Sequence, residues 1–312
     1  MTNLTQPIKQ NRNFWQRAWH NLTHNPVTIK ELRGRMRGRR AFVVLTVYLT
    51  IVSLFASFIY LIVVANADYS TTYNTAGQAI FFTLVFIQST LVIFIGPAFT
   101  ASAISGEKER QTYELLRTTL LSPAAFVAGK LISALSYVFL LLLSSIPILS
   151  LAFMFGGIDL TELIVSQLLL AASAITFAML GLFYSSRSRS STAASVATYA
   201  TVLFFTLGTP LMATMFLSLF SIFFLTSSPP AIISILGIYI LLLGVATNLP
   251  ATMFTSELFL REFNSIWGTI ERIDGVDIWL FSPWYVFIAL HILVSLVLYR
   301  LTVNRVARIA TE

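Results

Sequence analysis

Long apolar runs with very few charges alternate along this chain with polar segments that hold nearly all of its basic residues. Crossing the hydrocarbon of a bilayer takes about 20 mostly apolar helical residues. Six runs meet that length: 41–65, 79–104, 124–155, 163–184, 193–225 and 281–301. Gln88 is the single amide of the second run, and Lys130 stands near the start of the third, where a lysine can snorkel to the headgroups. A seventh run, 231–249, is of borderline length. In the fourth run Ala174, Ala178 and Gly181 recur at helical spacing, as do Ala193, Ala197 and Ala200 in the fifth. Small residues so placed let two helices approach closely, and they are also ordinary residues of membrane helices.

Charge sets the orientation. Nine Lys and Arg lie within 1–40, four within 108–130, two at Arg187 and Arg189, and three at Arg300, Arg305 and Arg308. If the runs alternate across the membrane, eighteen of the twenty basic residues share one side, the cytoplasmic one. The other side receives Asp68, Asp159, Glu162 and the segment 226–280. Both termini are then cytoplasmic and the number of crossings is even. The preferred reading is an all-α integral membrane protein of six transmembrane helices, with 226–280 outside and 231–249 dipping in and returning. The alternative is eight spans, with 193–225 split at Gly208-Thr209-Pro210. Phe254, Phe259, Phe263, Trp267 and Trp279 then form an amphipathic cap at the outer interface, and Glu257, Glu262, Glu271, Asp274 and Asp277 a solvated acidic face.

Composition agrees: 56% of the 312 residues are hydrophobic and 11% charged, too few charges to cover a soluble fold. Mean hydropathy is +0.80. The chain has no cysteine, which removes disulfides and thiolate metal sites. The basic start is too long for the leading region of a cleavable signal, so the first run is expected to act as an uncleaved anchor.

The stretch SGEKERQTYELLRTTLLSP, starting at Ser105, sits between the second and third runs. Read as one helix over 106–121, it places Glu107, Arg110, Glu114 and Arg117 on one face, with opposite signs adjacent and Arg110–Glu114 at i,i+4. Thr112, Tyr113, Leu116 and Leu120 fall opposite, and Pro123 stops the turn. Such a helix lies at the cytoplasmic surface with one face on the membrane domain and one toward a partner. In 1–40, Asn25-Pro26 opens a second helix, with Ile29, Leu32 and Met36 on an apolar stripe beside Lys30, Arg33, Arg37 and Arg40. Glu31 and Arg35 can pair, and Phe14, Trp15 and Trp19 supply interfacial anchors. Basic side chains beside an apolar face describe a helix lying in the headgroup layer. Nucleic acid is not expected as a partner, because Ala41 pins this arm to the bilayer.

The run Ser105-Gly106-Glu107-Lys108-Glu109-Arg110, continuing through Tyr113-Glu114-Leu115-Leu116 to Leu121-Ser122-Pro123 and Gly129-Lys130, resembles the hallmark of the type-2 ABC transporter permeases. A broader branch of that family includes the copper-maturation permease of nitrous oxide reductase. Asn25-Pro26-Val27 through Lys30-Glu31-Leu32-Arg33 resembles the family's opening. The resemblance covers most of the chain and is weakest over 226–280. It implies a permease domain over 41–312 preceded by a basic arm and elbow helix over 1–40, in the cell's inner membrane. It implies an exporter that works as a dimer, with a second copy or a close homologue, on two ABC ATPase subunits and with room for accessory proteins. The coupling helix, 105–121, would carry ATPase contacts at Gly106, Glu107, Lys108, Glu109, Arg110, Tyr113, Glu114 and Arg117. The elbow would add Lys30, Glu31, Arg33 and Arg37.

The remaining chemistry is sparse. Gly129-Lys130 lacks the upstream glycine and the following hydroxyl of a phosphate-binding loop, so ATP and magnesium are expected on the partner and no cofactor on this chain. His20 and His24 have no third ligand nearby, His291 reads as a hydrogen-bonded packing residue, and Met212 and Met215 as core. A non-catalytic transport subunit is the favoured reading. A membrane-embedded enzyme using the outer acids and an ATP-independent secondary carrier are the alternatives.

Overall fold

The structure, a computed structural model, describes residues 39–65, 72–111, 122–226, 231–273 and 275–309. The elbow helix, including Lys30, Glu31, Arg33 and Arg37, lies outside them, as do His20 and His24. The helices are α1 (Arg39–Ala65), α2 (Thr72–Thr100), α3 (Ser105–Glu109), α4 (Pro123–Ser144), α5 (Ile146–Phe155), α6 (Leu160–Arg187) and α7 (Ser191–Leu203). A π-helical turn, Phe204–Gly208, joins α7 to α8 (Thr209–Thr226). There follow α9 (Ala231–Val245), α10 (Leu249–Glu262), strands β1 (Gly268–Ile273) and β2 (Val276–Phe281), and α11 (Pro283–Ile309). Among the described residues, six stretches are long and apolar enough to cross a membrane.

α6 is the central staff. It packs against α2, α4, α7, α10 and α11, and 61% of its most apolar window is buried, against 17% for α1 and 11% for the α7–α8 stretch. The small residues of α6 act as expected. A Cβ on Gly181 would collide with Thr100 Oγ1 and come within 3.0 Å of the Ala101 nitrogen, while Ala174 and Ala178 are fully buried. The stripe on α7 does not act so: Ala193 and Ala200 are exposed, and it is Ala194 that is fully buried.

Breaks in the helices are closed by side chains from neighbours. At Ser145, where α4 gives way to α5, the hydroxyl donates to Leu142 O at 2.7 Å and accepts from the Gln88 amide of α2. Gln88 Oε1 in turn accepts from Gln167 Nε2 of α6 at 2.9 Å. The stretch from α7 to α8 is not divided at Gly208-Thr209-Pro210, which sets aside the eight-span alternative. The π turn absorbs the backbone bond that Pro210 cannot make, and the chain continues as one helical rod from Ser191 to Thr226.

α9 has 15 residues, about 22 Å of helix, short of a hydrocarbon core of about 30 Å. The chain turns at 246–248 and returns as α10. Asn248 makes the turn possible. Its Oδ1 caps α10 by accepting from Ala251 N at 3.0 Å, and its Nδ2 donates to Phe205 O, Thr206 O and Thr209 Oγ1 at 2.8–3.1 Å. The π turn thus offers the carbonyls that a non-helical bend needs where water is scarce.

The hairpin β1–β2 is an addition to a fold that is otherwise built of helices among the described residues. Gly268 pairs with Phe281 and Ile273 with Val276, and Gly275 has φ 83°. Asp274-Gly275 between alternating residues is a strong two-residue hairpin signal. The expected aromatic cap is present in part. Trp267 packs on Trp284 and Tyr285, and Tyr239 stacks on Phe281 and donates to Trp279 O, but Phe259 is buried.

Gly181→Val should destabilise the protein by about 1–3 kcal/mol through the forced separation of α2 and α6. Gly244→Ala, where an added Cβ meets nothing within 4 Å, should leave stability unchanged or slightly raised. Thermal melts of the two purified variants in detergent check the contrast.

Candidate functional site

The signature stretch continues from the end of α2 through a turn at 101–104 into α3. No local side chain caps α3. Instead Ser185 Oγ, in the last turn of α6, accepts from both Ile104 N and Ser105 N at 2.9 Å. A helix start leaves its first N–H groups without partners, and here a second helix supplies the oxygen.

The three charges that follow engage three other parts of the bundle. Glu107 Oε1 accepts from Lys130 Nζ of α4 at 2.8 Å. Lys130 is only 3% exposed and lies 5.2 Å from the Phe126 ring, so it is a buried ion-pair member and does not snorkel. Lys108 Nζ donates to Ser186 O at 2.6 Å and Ser188 O at 3.4 Å, at the carbonyl end of α6. Glu109 accepts from Ser191 N at 2.8 Å and Ser191 Oγ at 2.6 Å, at the amino end of α7. Each sign matches the helix end it meets, cation on carbonyls and anion on N–H groups. Beneath them Ile104, Phe126, Val127, Met179, Leu182, Leu298 and Val306 form a separate apolar cluster.

This corrects the expectation of one uninterrupted helix over 106–121. α3 ends at Glu109, Arg110 leaves the helical region at ψ 0°, and Gln111 has φ 57°, a left-handed conformation unusual for a residue with a Cβ. Glu107, Lys108 and Glu109 are held by the bundle, and Arg110 and Gln111 leave the helix at the surface. Glu107 and Arg110 therefore do not share one partner-facing stripe: Glu107 faces Lys130, while Arg110 and Gln111 are exposed. Gly106 is partly buried, with Ser191 Oγ 3.5 Å from where its Cβ would be. Tyr113, Glu114 and Arg117 lie outside the described residues.

The acids at the other end of the bundle are also less solvated than expected. Glu162, in the first turn of α6, and Glu257, on α10, are 6% and 7% exposed. Arg261 NH2 approaches Glu257 Oε1 to 2.5 Å, and its Nε stands 3.9 Å from Glu162 Oε1. Burial pushes the Glu257 carboxyl above the usual carboxylate range, with Arg261 pulling the other way. Glu262 and Asp277 are exposed, as expected, and Glu271 is half-buried. The signal missed in the sequence is the i,i+4 spacing of Glu257 and Arg261 on a helix.

His291 is a packing histidine: Nδ1 lies 2.9 Å from Thr176 Oγ1, and its ring stacks on Phe287 at 3.9 Å. Met212 and Met215 are on the exposed face of α8, which corrects their expected place in the core. No group of His, Asp or Glu suited to hold a metal ion occurs among the described residues.

Lys130→Met removes the Lys130 partner of Glu107 and should lower stability by about 1–3 kcal/mol, read as a melting shift in detergent. The exchange Glu107→Lys with Lys130→Glu should recover most of the loss. An exchanged protein no more stable than the single variant would refute the pair as the source.

Residues 26–252 match the family described as ABC-2 family transporter protein, which takes in the end of the basic arm from Pro26, the signature stretch and five of the six long apolar helices. No curated protein matches the chain. With most of its length covered by that family and its helices arranged as a multi-pass membrane protein, the chain belongs to the ABC-2 family of transporter proteins as a membrane permease subunit.

Proposed function

We propose that this permease forms half of the translocation pathway of an ATP-driven exporter, paired with a second copy or close homologue and driven by two separate ATPase subunits. The α3 end faces the cytoplasm and receives the ATPases. The contact surface is the chain that leaves the clamp at Arg110, namely 110–121, together with the basic arm. Glu107, Lys108 and Glu109 act one step further in, as the tie between that surface and the spans.

The observation that carries this reading is the clamp. α3 is covalently joined to α2, ion-paired to α4 through Lys130, and hydrogen-bonded to the end of α6 and the start of α7. A push delivered at Arg110 therefore reaches α2, α4, α6 and α7 through these ties. Lys108, Arg110, Arg187, Arg189 and the Arg300, Arg305 and Arg308 group all sit at or near this end of the helices, which favours its cytoplasmic placement. The faces of α1 and the α7–α8 rod, apolar and little buried within the chain, suit lipid or a second copy.

The absence of native cysteine makes the orientation directly testable. A membrane-impermeant maleimide should label Arg110→Cys only in inverted vesicles and Val276→Cys only from outside the cell. The reverse pattern would overturn the assignment. With a co-expressed ATPase, Arg110→Glu should lower transport-linked hydrolysis on the order of tenfold while insertion is unchanged, a coupling loss within the usual range. Transport by the purified chain without ATP would instead favour a secondary carrier.

A further inference from the structure

A cavity of about 380 Å³ lies between α2, α6 and α10. Its apolar wall is built from Phe81, Phe82, Val165, Leu169 and Met253. Two phenylalanines at its edge, Phe86 and Phe254, are 67% and 60% exposed, so the cavity opens sideways through the wall of the bundle toward lipid. A body entering from the hydrocarbon would meet no charged rim on that side.

The polar part of the lining is small and of one character. Glu162 and Glu257 both line the cavity, and Arg261 stands within 4 Å of both carboxyl groups. The charged groups around them are Arg261, which also lies 5.4 Å from the Phe82 ring, and the exposed Asp159. Two buried carboxylates thus share one guanidinium. Three other hydroxyls of the lining are satisfied within their own helices: Thr83 donates to Ala79 O, Ser89 to Phe86 O and Ser166 to Leu163 O. Ser256 differs. It is 2% exposed, lines the cavity, and its Oγ has no hydrogen-bond partner among the described residues. An unpaired buried hydroxyl beside an excess of carboxylate matches a ligand that carries N–H donors and positive charge. The faces of Phe86 and Phe254 add the attraction of aromatic rings for a cation.

We propose that this cavity binds an amphiphilic amine. Its apolar body lies along the phenylalanine wall, its ammonium group is held by Glu257 and Glu162, and Ser256 Oγ accepts one of its N–H groups. That the bound amine is cargo rests on the permease reading; the binding site itself does not.

The test uses the purified full chain in a nonionic detergent and three photoreactive long-chain alkyl probes that differ only in the head: primary amine, alcohol or carboxylate. The amine should label peptides containing Phe82, Phe86 and Phe254 about tenfold more than the alcohol, equivalent to ~1.4 kcal/mol, and the carboxylate least. Glu257→Gln should bring the amine down to the alcohol level while alcohol labelling stays, which also shows that the fold survives. Met253→Trp should fill the cavity and suppress labelling by amine and alcohol alike. Equal labelling by amine and alcohol in the unaltered protein, or adducts spread over the outer faces of α1 and α8, would overturn the proposal. So would cross-linking of Phe86→Cys to a second copy with no amine labelling, which would make the cleft an interface between copies. If the amine labels the cavity but does not change hydrolysis by the partner ATPase, the site stands and the cargo reading fails.

Discussion

Hydrocarbon offers no hydrogen bond to a stranded N–H or C=O, and three departures from regular helix among the described residues are built around that penalty. Where the α4–α5 rod breaks, Gln88 and Gln167 line up on Ser145. Where the chain bends back between α9 and α10, Asn248 reaches the π turn, whose altered bonding leaves Phe205 O and Thr206 O available. Where α3 starts, Ser185 supplies the missing acceptor. In each place a polar side chain of another helix joins the repair. The repair of one helix is therefore a cross-link to another.

The same economy explains the short α3. Its five residues could not hold together as an isolated helix. They are kept in place because the polar ends of α6 and α7, which need partners of their own, stand beside them. Lys108 serves the carbonyls of one and Glu109 the amide of the other. Glu107 and Lys130 satisfy each other in a setting where either alone would be costly. A charged sequence that looks made for water is engaged largely by partners within the protein, and exposure rises from the half-buried Glu107 and Lys108 to Glu109 and Arg110.

This locates what was legible in the residues. Apolar runs of sufficient length report crossings directly, because bilayer thickness fixes them, while the seventh run, of borderline length, was set apart by the even number of crossings that the charges require. Gly181 with Ala174 and Ala178 marked a true close approach, while the similar pattern at Ala193, Ala197 and Ala200 did not, since spacing alone does not say which face has a neighbour. The direction of Glu107 could not be read either, because its partner Lys130 is a helix away and looked like a residue bound for the headgroups. The acid at 257 was legible in retrospect: an arginine one turn later was the sign of a paired, buried group. The hairpin was announced by Asp274-Gly275, but the all-helical pattern around it hid a segment of only six residues a side.

One helix joins the two ends of the molecule. α6 carries Ser185 and Ser186 at the clamp and Glu162, Val165 and Leu169 at the cavity wall. Its 28 residues extend about 40 Å as a single rod. Along it Gly181 and Ala178 lie close against α2, which bears the phenylalanines of the same cavity and continues into α3. Close-packed helices of this kind slide or tilt as units more readily than they deform. A displacement applied at Arg110 would move α2 and α6 together at the clamp, so the opening between them at the far end depends on whether α10, tied through Arg261 to Glu162, moves with α6 or stays behind. Under the proposed coupling, the ion pair across α6 and α10 would be the joint at which a push from one face of the membrane becomes a change in the shape of the cleft.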